Sequence, residues 1–213
     1  MGQQPASPVP AVGPRLAGAP LRAAVLVGGA SRRMGRPKEA LEVGGERLLD
    51  RILAALQAAG CGPAVLLGAG REVAGPAAAL PRLPDAPGVE GPLAGLLAAL
   101  RSERAAWLVV ACDLPLLSPP AVEWLAAQRA PAHARDCWAV LPCVAGRVQP
   151  LLAVYEPESL ELVEELAASG KPSPSRLAGH ARVWSPQPPP ALAAAWSNAN
   201  TPGELAALLG ARE

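Results

Sequence analysis

The run Ala23-Ala-Val-Leu-Val27 has no polar face, and Gly28-Gly29 follows it directly. A short all-apolar run that stops at glycine is a buried strand, and such a strand needs cover on both faces. At Gly28 the chain can take φ > 0, and no side chain keeps a ligand away from the backbone. The loop then delivers Arg32, Arg33, Arg36 and Lys38. A strand ending in a glycine-rich, cation-rich loop is how many α/β proteins hold a polyphosphate. Backbone N–H groups cradle the oxygens and fixed positive charge neutralises them. Two common phosphate loops fail on spacing. A Walker A loop needs Gly before its Lys and Ser or Thr after it, whereas Lys38 lies between Pro37 and Glu39. The dinucleotide fingerprint G-x-G-x-x-G is missing too, because Gly28 and Gly29 are adjacent and the next glycine is Gly35.

Apolar runs and helical periods alternate after this loop, which predicts βαβ units and a mostly parallel sheet. Leu48, Leu49, Ile52, Leu53 and Leu56 recur at helical spacing before Gly60, predicting an amphipathic helix over residues 46–59. Residues 64–67 read as a second strand, closed by Gly68-Ala-Gly70, and Asp85 falls in a loop over residues 82–88. Pro92 follows Gly91 at the first position of another helix, with Leu93, Leu96, Leu97 and Leu100 on one face. Its open N-terminal N–H groups are a second candidate anion site. Trp107-Leu-Val-Val-Ala111 is the clearest buried strand, followed by Cys112-Asp-Leu-Pro115 and a helix over residues 119–129.

Residues 138–141 and 148–155 flank the turn-like Val144-Ala-Gly-Arg147 and read as an antiparallel hairpin. Gln149 precedes Pro150 there, which suits an edge or a bulge and not a central ladder position. A helix is predicted over residues 157–168, with Leu160, Val163 and Leu166 inward. Residues 171–176 read as a solvated, basic, hydroxyl-rich linker, and residues 182–184 as a last short strand. Thr201-Pro-Gly-Glu204 fits a capping box that opens a final helix running to Gly210.

Composition narrows the function classes. A hydrophobic fraction of 51% against 17% charged residues describes a globule, and a net charge of +1 provides no overall field for nucleic acid or an acidic membrane. No apolar segment is long enough to cross a bilayer, and the first 20 residues read as a loose Pro/Ala/Gly-rich tail ahead of a single domain over residues 21–213. Cys61, Cys112, Cys137 and Cys143 have neither C-x-x-C spacing nor neighbouring histidines. No zinc site or disulfide framework follows, and a reduced, cytoplasmic setting is expected. Cys112 reads as a small buried hydrophobe, and His133 and His180 receive no role.

Asp113 is the candidate of most chemical interest. In a doubly wound sheet the carboxyl ends of the strands form the ligand crevice, so Asp113 would face the crevice that holds Gly28 and Gly29. A carboxylate beside a bound triphosphate suits Mg²⁺, which takes one or two carboxylates plus phosphate oxygens. Asn198 and Asn200, alternating before the last helix, can aim two amides at one ligand.

The motif Leu26-x-Gly-Gly-x-Ser-x-Arg-Met-Gly-x-x-Lys38 resembles the signature loop of the molybdenum cofactor guanylyltransferases, the MobA family of the nucleotidyltransferase superfamily. Gly91-Pro-Leu-Ala-Gly95, Cys112-Asp-Leu-Pro115, Gln149-Pro-Leu-Leu-Ala-Val-Tyr155 and Asn198-Ala-Asn-Thr-Pro202 follow in the family's order. The resemblance implies a three-layer α/β/α Rossmann-like nucleotidyltransferase fold, mostly parallel with an antiparallel hairpin. It implies transfer of GMP from Mg²⁺-GTP to the terminal phosphate of molybdopterin, with loss of pyrophosphate. Leu26, Val27, Gly28, Gly29, Lys38, Gly68, Asp85 and Asp113 would then meet GTP, and Asp113 would hold Mg²⁺. Arg33, Lys38 and Asp113 would carry catalysis. Arg33, Gly91, Gln149, Asn198 and Asn200 would lie toward the pterin.

The partners implied are the two small substrates, with molybdoenzymes or other cofactor-biosynthesis proteins as recipients, and neither nucleic acid nor membrane. Two positions depart from the family pattern: Pro37 replaces an Asp often found before the loop lysine, and Gly68 stands where relatives can carry a base-contacting asparagine. Two other readings share the loop. One is a cytidylyl or sugar-phosphate nucleotidyltransferase, and the other a nucleotide-binding cofactor chaperone without turnover.

Overall fold

A computed structural model of the chain describes residues 19–28, 42–43, 45–62, 64–68, 73–170 and 173–210. The opening strand β1 (Leu21–Leu26) lies in the middle of the sheet. Two short strands, β2 (Glu42–Val43) and β3 (Glu46–Arg47), pair antiparallel ahead of helix α1 (Leu48–Ala58). Next come β4 (Val65–Leu67), β5 (Arg82–Leu83), α2 (Pro92–Ser102) and β6 (Ala106–Ala111). Helices α3 (Pro119–Ala127) and α4 (Arg129–Ala134) lead to β7 (Ala139–Val140). The remainder comprises β8 (Cys143–Val144), β9 (Arg147–Val148), β10 (Leu152–Tyr155), α5 (Ser159–Ala168), β11 (Val183–Trp184) and α6 (Pro202–Gly210).

Among the described residues the main sheet has seven strands in the order β11-β7-β10-β6-β1-β4-β5. β1 runs parallel to β6 and β4, and β4 parallel to β5, while β10 runs antiparallel to both β6 and β7. The alternation of side chains along the strands divides the core in two. Ala23, Val25, Leu108 and Val110 face α1 and α3 on one side of the sheet, whereas Ala24, Trp107 and Val109 face α2 and α5 on the other. This is the three-layer α/β/α arrangement that the apolar run at Ala23 requires. The predicted leucines Leu93, Leu96, Leu97 and Leu100 of α2 are all buried. Each contributes about 1.5–3 kcal/mol by leaving water.

Several boundaries differ from the sequence expectation. The first helix starts at Leu48 and not at residue 46, because Glu46 and Arg47 pair with Val43 and Glu42. The predicted helix over 119–129 ends at Ala127, with α4 beginning after Gln128. β5 lies in a segment expected to be loop. The hairpin over 138–155 is interrupted: β7 and β10 pair as expected, but Val148 belongs to a separate hairpin with Cys143. Gln149 stands between the two ladders, in agreement with its placement beside Pro150 outside the ladder.

His133, given no role from sequence, packs against a buried ion pair. Glu156 is 2% exposed, Arg129 Nε and Nη2 donate to its two carboxylate oxygens at 2.7 and 3.0 Å, and His133 Nε2 lies 3.1 Å from Oε1. Arg129 also donates to the carbonyl of Ala19, itself buried. Cys61, Cys112 and Cys137 are buried thiols outside any disulfide, and Cys143 is half-buried. Burial pushes the Cys61 thiol above its usual pKa. Among the described residues no helix is long and apolar enough to cross a membrane.

Candidate active site

The carboxyl ends of β1, β4 and β6 come together. The ladder continues past the strands: Val27 N–H donates to Leu67 O at 2.9 Å, Gly68 N–H to Leu83 O at 3.2 Å and Cys112 N–H to Leu26 O at 3.3 Å. Gly28 and Gly68 both turn there with positive φ, 120° and 121°. A Cβ on Gly68 would stand 2.2 Å from the carbonyl oxygen of Val27, so a side chain is excluded while that backbone stays in place.

Helix α2 packs onto the same strand ends through Gly95. A Cβ there would meet Leu26 Cδ2 at 2.7 Å, Leu67 Cβ at 3.2 Å and Asp85 Oδ1 at 3.5 Å. Asp85 is exposed on the loop after β5, with its carboxylate against the first turns of α2. Leu26, Val27, Gly28, Gly68 and Asp85 are therefore gathered at one end of the sheet. Gly91, at φ 69°, turns the chain into α2 as its N-cap residue, and Pro92 occupies the first turn. Gly29, Arg33 and Lys38, like Arg32 and Arg36, lie outside the described residues.

Asp113 is half-buried at the end of β6. Its carbonyl accepts from Ala199 N–H at 2.9 Å, and this bond draws the Asn198–Asn200 segment to the strand end. Asp113 borders a cleft of about 670 Å³ that Gln149 and Asn198 also line. Three hydrogen bonds hold the far wall. Gln149 N–H donates to Pro142 O at 2.8 Å, Tyr155 Oη to Pro150 O at 2.8 Å, and Trp196 Nε1 to Leu152 O at 3.0 Å. Burial raises the Tyr155 phenol well above its ordinary pKa, which keeps it a donor.

Neither Gly91 nor Asn200 is part of this cleft. Asn200 N–H donates to Glu204 Oε2 at 2.7 Å, and Glu204 N–H donates to Thr201 Oγ1 at 3.1 Å. The capping box is thus present, with its carboxylate reaching one residue further back than in the usual arrangement.

Sequence reading missed Arg147, Ser175 and Trp196, which also line the cleft. The segment read as a solvated linker forms a 3₁₀ turn over Pro174–Leu177, with Pro174 and Leu177 buried and Ser175 turned to the cleft. Proline at its first turn is the one local signal for it. Arg147 follows a tight turn and is exposed, so only its tertiary neighbours set it apart.

The donor set suits a metal that arrives with a nucleotide. Among the described residues no group of three or more His, Cys, Asp or Glu side chains could cage an ion, whereas Asp113 offers one carboxylate at the cleft. Magnesium held by one carboxylate, water and phosphate oxygens needs no more from the protein.

Residues 23–183 match the family model of the MobA-like NTP transferase domain. The chain belongs to this family. Among curated MobA-like relatives, the probable molybdenum cofactor guanylyltransferase of Pelotomaculum thermopropionicum is 35% identical over 142 residues, 66% of this chain and 66% of that protein, so the match spans about two-thirds of the relative. The molybdenum cofactor guanylyltransferase of Rhodobacter capsulatus is 33% identical over 190 residues, 85% of this chain and 91% of that protein. The fold is that of molybdopterin-guanine dinucleotide biosynthesis protein A from Archaeoglobus fulgidus, at a TM-score of 0.69 and 23% identity, covering 90% of this chain and 100% of that one. As a MobA-like NTP transferase the chain is a nucleotidyltransferase.

Proposed function

We propose that the chain transfers GMP from GTP to the terminal phosphate of molybdopterin. An oxygen of that phosphate bonds to the α-phosphorus of GTP, the bond from the α-phosphorus to the bridging oxygen breaks, and pyrophosphate leaves with the electron pair. The nucleophile is already an anion, so no protein nucleophile or general base is required. Positioning and charge neutralisation supply the catalysis. The observation that carries this reading is the shared cleft of Asp113, Gln149 and Asn198 in a member of this family.

In this scheme Leu26, Val27, Gly28, Gly29, Gly68 and Asp85 receive the nucleoside end of GTP. Lys38 and Arg33 neutralise its phosphates, and Arg33 also faces the acceptor. Gln149 and Asn198 orient the pterin from the cleft, whereas Asn200 and Gly91, outside it, would act only on a part of the pterin that extends beyond the cleft. Asp113 would hold Mg²⁺, which when bound offsets the charge of the triphosphate and the leaving pyrophosphate. The reaction belongs to the cytoplasm, where the product would pass to molybdoenzymes or other cofactor-biosynthesis proteins.

The relatives named as guanylyltransferases favour GTP, as does Gly28-Gly29 in place of the Ala-Gly associated with cytidylyl relatives. The test is pyrophosphate release by the purified chain with Mg²⁺ and molybdopterin, comparing GTP, CTP and ATP. Release with GTP alone, dependent on the pterin, is expected. Release with CTP would keep the chemistry and change the product, and nucleotide binding without release would favour a chaperone.

A further inference from the structure

The cleft beside Asp113 holds a second charge that the scheme above does not use. Among the described residues, Asp113 and Arg147 are the charged side chains that line it. Arg147 opens β9, directly after a two-residue turn in which Ala145 and Gly146 both have positive φ, 48° and 75°. Such a turn matches the strand twist and fixes the hairpin tightly, although the left-handed region is unfavourable for alanine. The hairpin is tied at both ends, by Cys143 N–H to Pro186 O at 2.9 Å and by Gln149 N–H to Pro142 O at 2.8 Å. Arg147 therefore stands on a rigid platform. Its guanidinium has no carboxylate partner among the described residues, while Arg22, Arg47, Arg101, Arg129 and Arg182 each have one.

An arginine held without a counter-ion at the rim of a cleft is suited to an anion that comes and goes. Its planar fork binds two phosphate oxygens at once. The acceptor phosphate must enter a cleft that already contains the Asp113 carboxylate, and it must approach a second polyanion. In the scheme above the loop cations serve the nucleotide first and Arg33 is shared with the acceptor, so further positive charge on the acceptor's own side favours the approach of two polyanions. Ser175 adds a hydroxyl donor to that wall, and Trp196, fixed through Leu152 O, adds an aromatic surface.

We propose that Arg147 is a positioning residue that grips the phosphate of the acceptor in this cleft, an inference that rests on the acceptor reading above. It orients the attacking oxygen and does not touch the nucleotide.

The experiment is calorimetric binding of molybdopterin and, separately, of GTP to wild type, Arg147→Ala and Arg147→Lys, with a dephosphorylated pterin as control. Arg147→Ala should weaken molybdopterin binding by about tenfold or more and raise its KM alike, with GTP affinity within about twofold. Arg147→Lys should recover part of the loss, and the dephosphorylated pterin should bind wild type and Arg147→Ala equally. Undiminished molybdopterin binding by Arg147→Ala would overturn the proposal and leave the guanylyltransferase reading standing. An equal loss for the dephosphorylated pterin would overturn it too. Failure of wild type to bind molybdopterin while binding GTP would overturn both.

Discussion

Gly68 shows how little freedom single positions have at the edge of this sheet. Its φ of 121° and the Val27 carbonyl oxygen, 2.2 Å from where a Cβ would stand, both demand glycine. A side chain could enter here only if the Val27 backbone moved. Gly95 is crowded differently, because its nearest neighbour is the flexible end of Leu26. Gly68→Ala should therefore destabilise the protein by roughly 1–3 kcal/mol and weaken GTP binding. Gly95→Ala should cost less, since Leu26 can turn away. Denaturant unfolding of the two variants side by side checks the order, and equal or reversed losses would contradict it.

At the scale of elements, what was legible in the sequence depended on length. β1, β6 and α2 were readable because four or more apolar positions repeat with one period, and burial then fixes both type and face. Asp113 was readable because it follows β6, and the carboxyl end of a parallel strand is where ligands gather. Gln149 and Asn198 were legible as candidates from motif, but their meeting at Asp113 depends on bonds between residues far apart in the chain, Ala199 N–H to Asp113 O for Asn198 and Ala111 N–H to Leu151 O for the segment that carries Gln149. Among the described residues seven strands are two residues each and carry no period; β7 and β11 were readable from the apolar residues around them, whereas β2, β3, β5, β8 and β9 were not. Arg147 and Ser175 were lost with them. An exposed arginine after a turn and a serine between two prolines read as solvent-facing until the cleft is assembled around them.

The whole molecule separates chemistry from stability along β6. Ala111 N–H meets Leu151 O at the end that leads into Asp113, whereas Ala106 N–H meets Pro20 O at the other end, where Glu156 follows β10. There Arg129 clamps Glu156 and Ala19 together, joining α4, the end of β10 and the chain ahead of β1. Removing Glu156 leaves Arg129 partly buried without its carboxylate, though still bonded to Ala19 O. Glu156→Ala should lower unfolding free energy by about 1.5–3 kcal/mol. At temperatures where the variant is folded its kcat should stay within about twofold, because the site is remote. A large kcat loss in the folded variant would mean that the two ends of the sheet are coupled.

If a nucleotide's α-phosphate passes to an acceptor in the cleft at Asp113, the fate of a phosphate label follows from it. Wild type and Asp113→Asn would be given GTP labelled at the α-phosphate or, separately, at the γ-phosphate, with Mg²⁺ and molybdopterin. The α-label should appear in the dinucleotide product and the γ-label only in pyrophosphate, and α-transfer should fall about 100-fold or more in Asp113→Asn. Undiminished α-transfer by Asp113→Asn, or γ-label on the pterin, would contradict it.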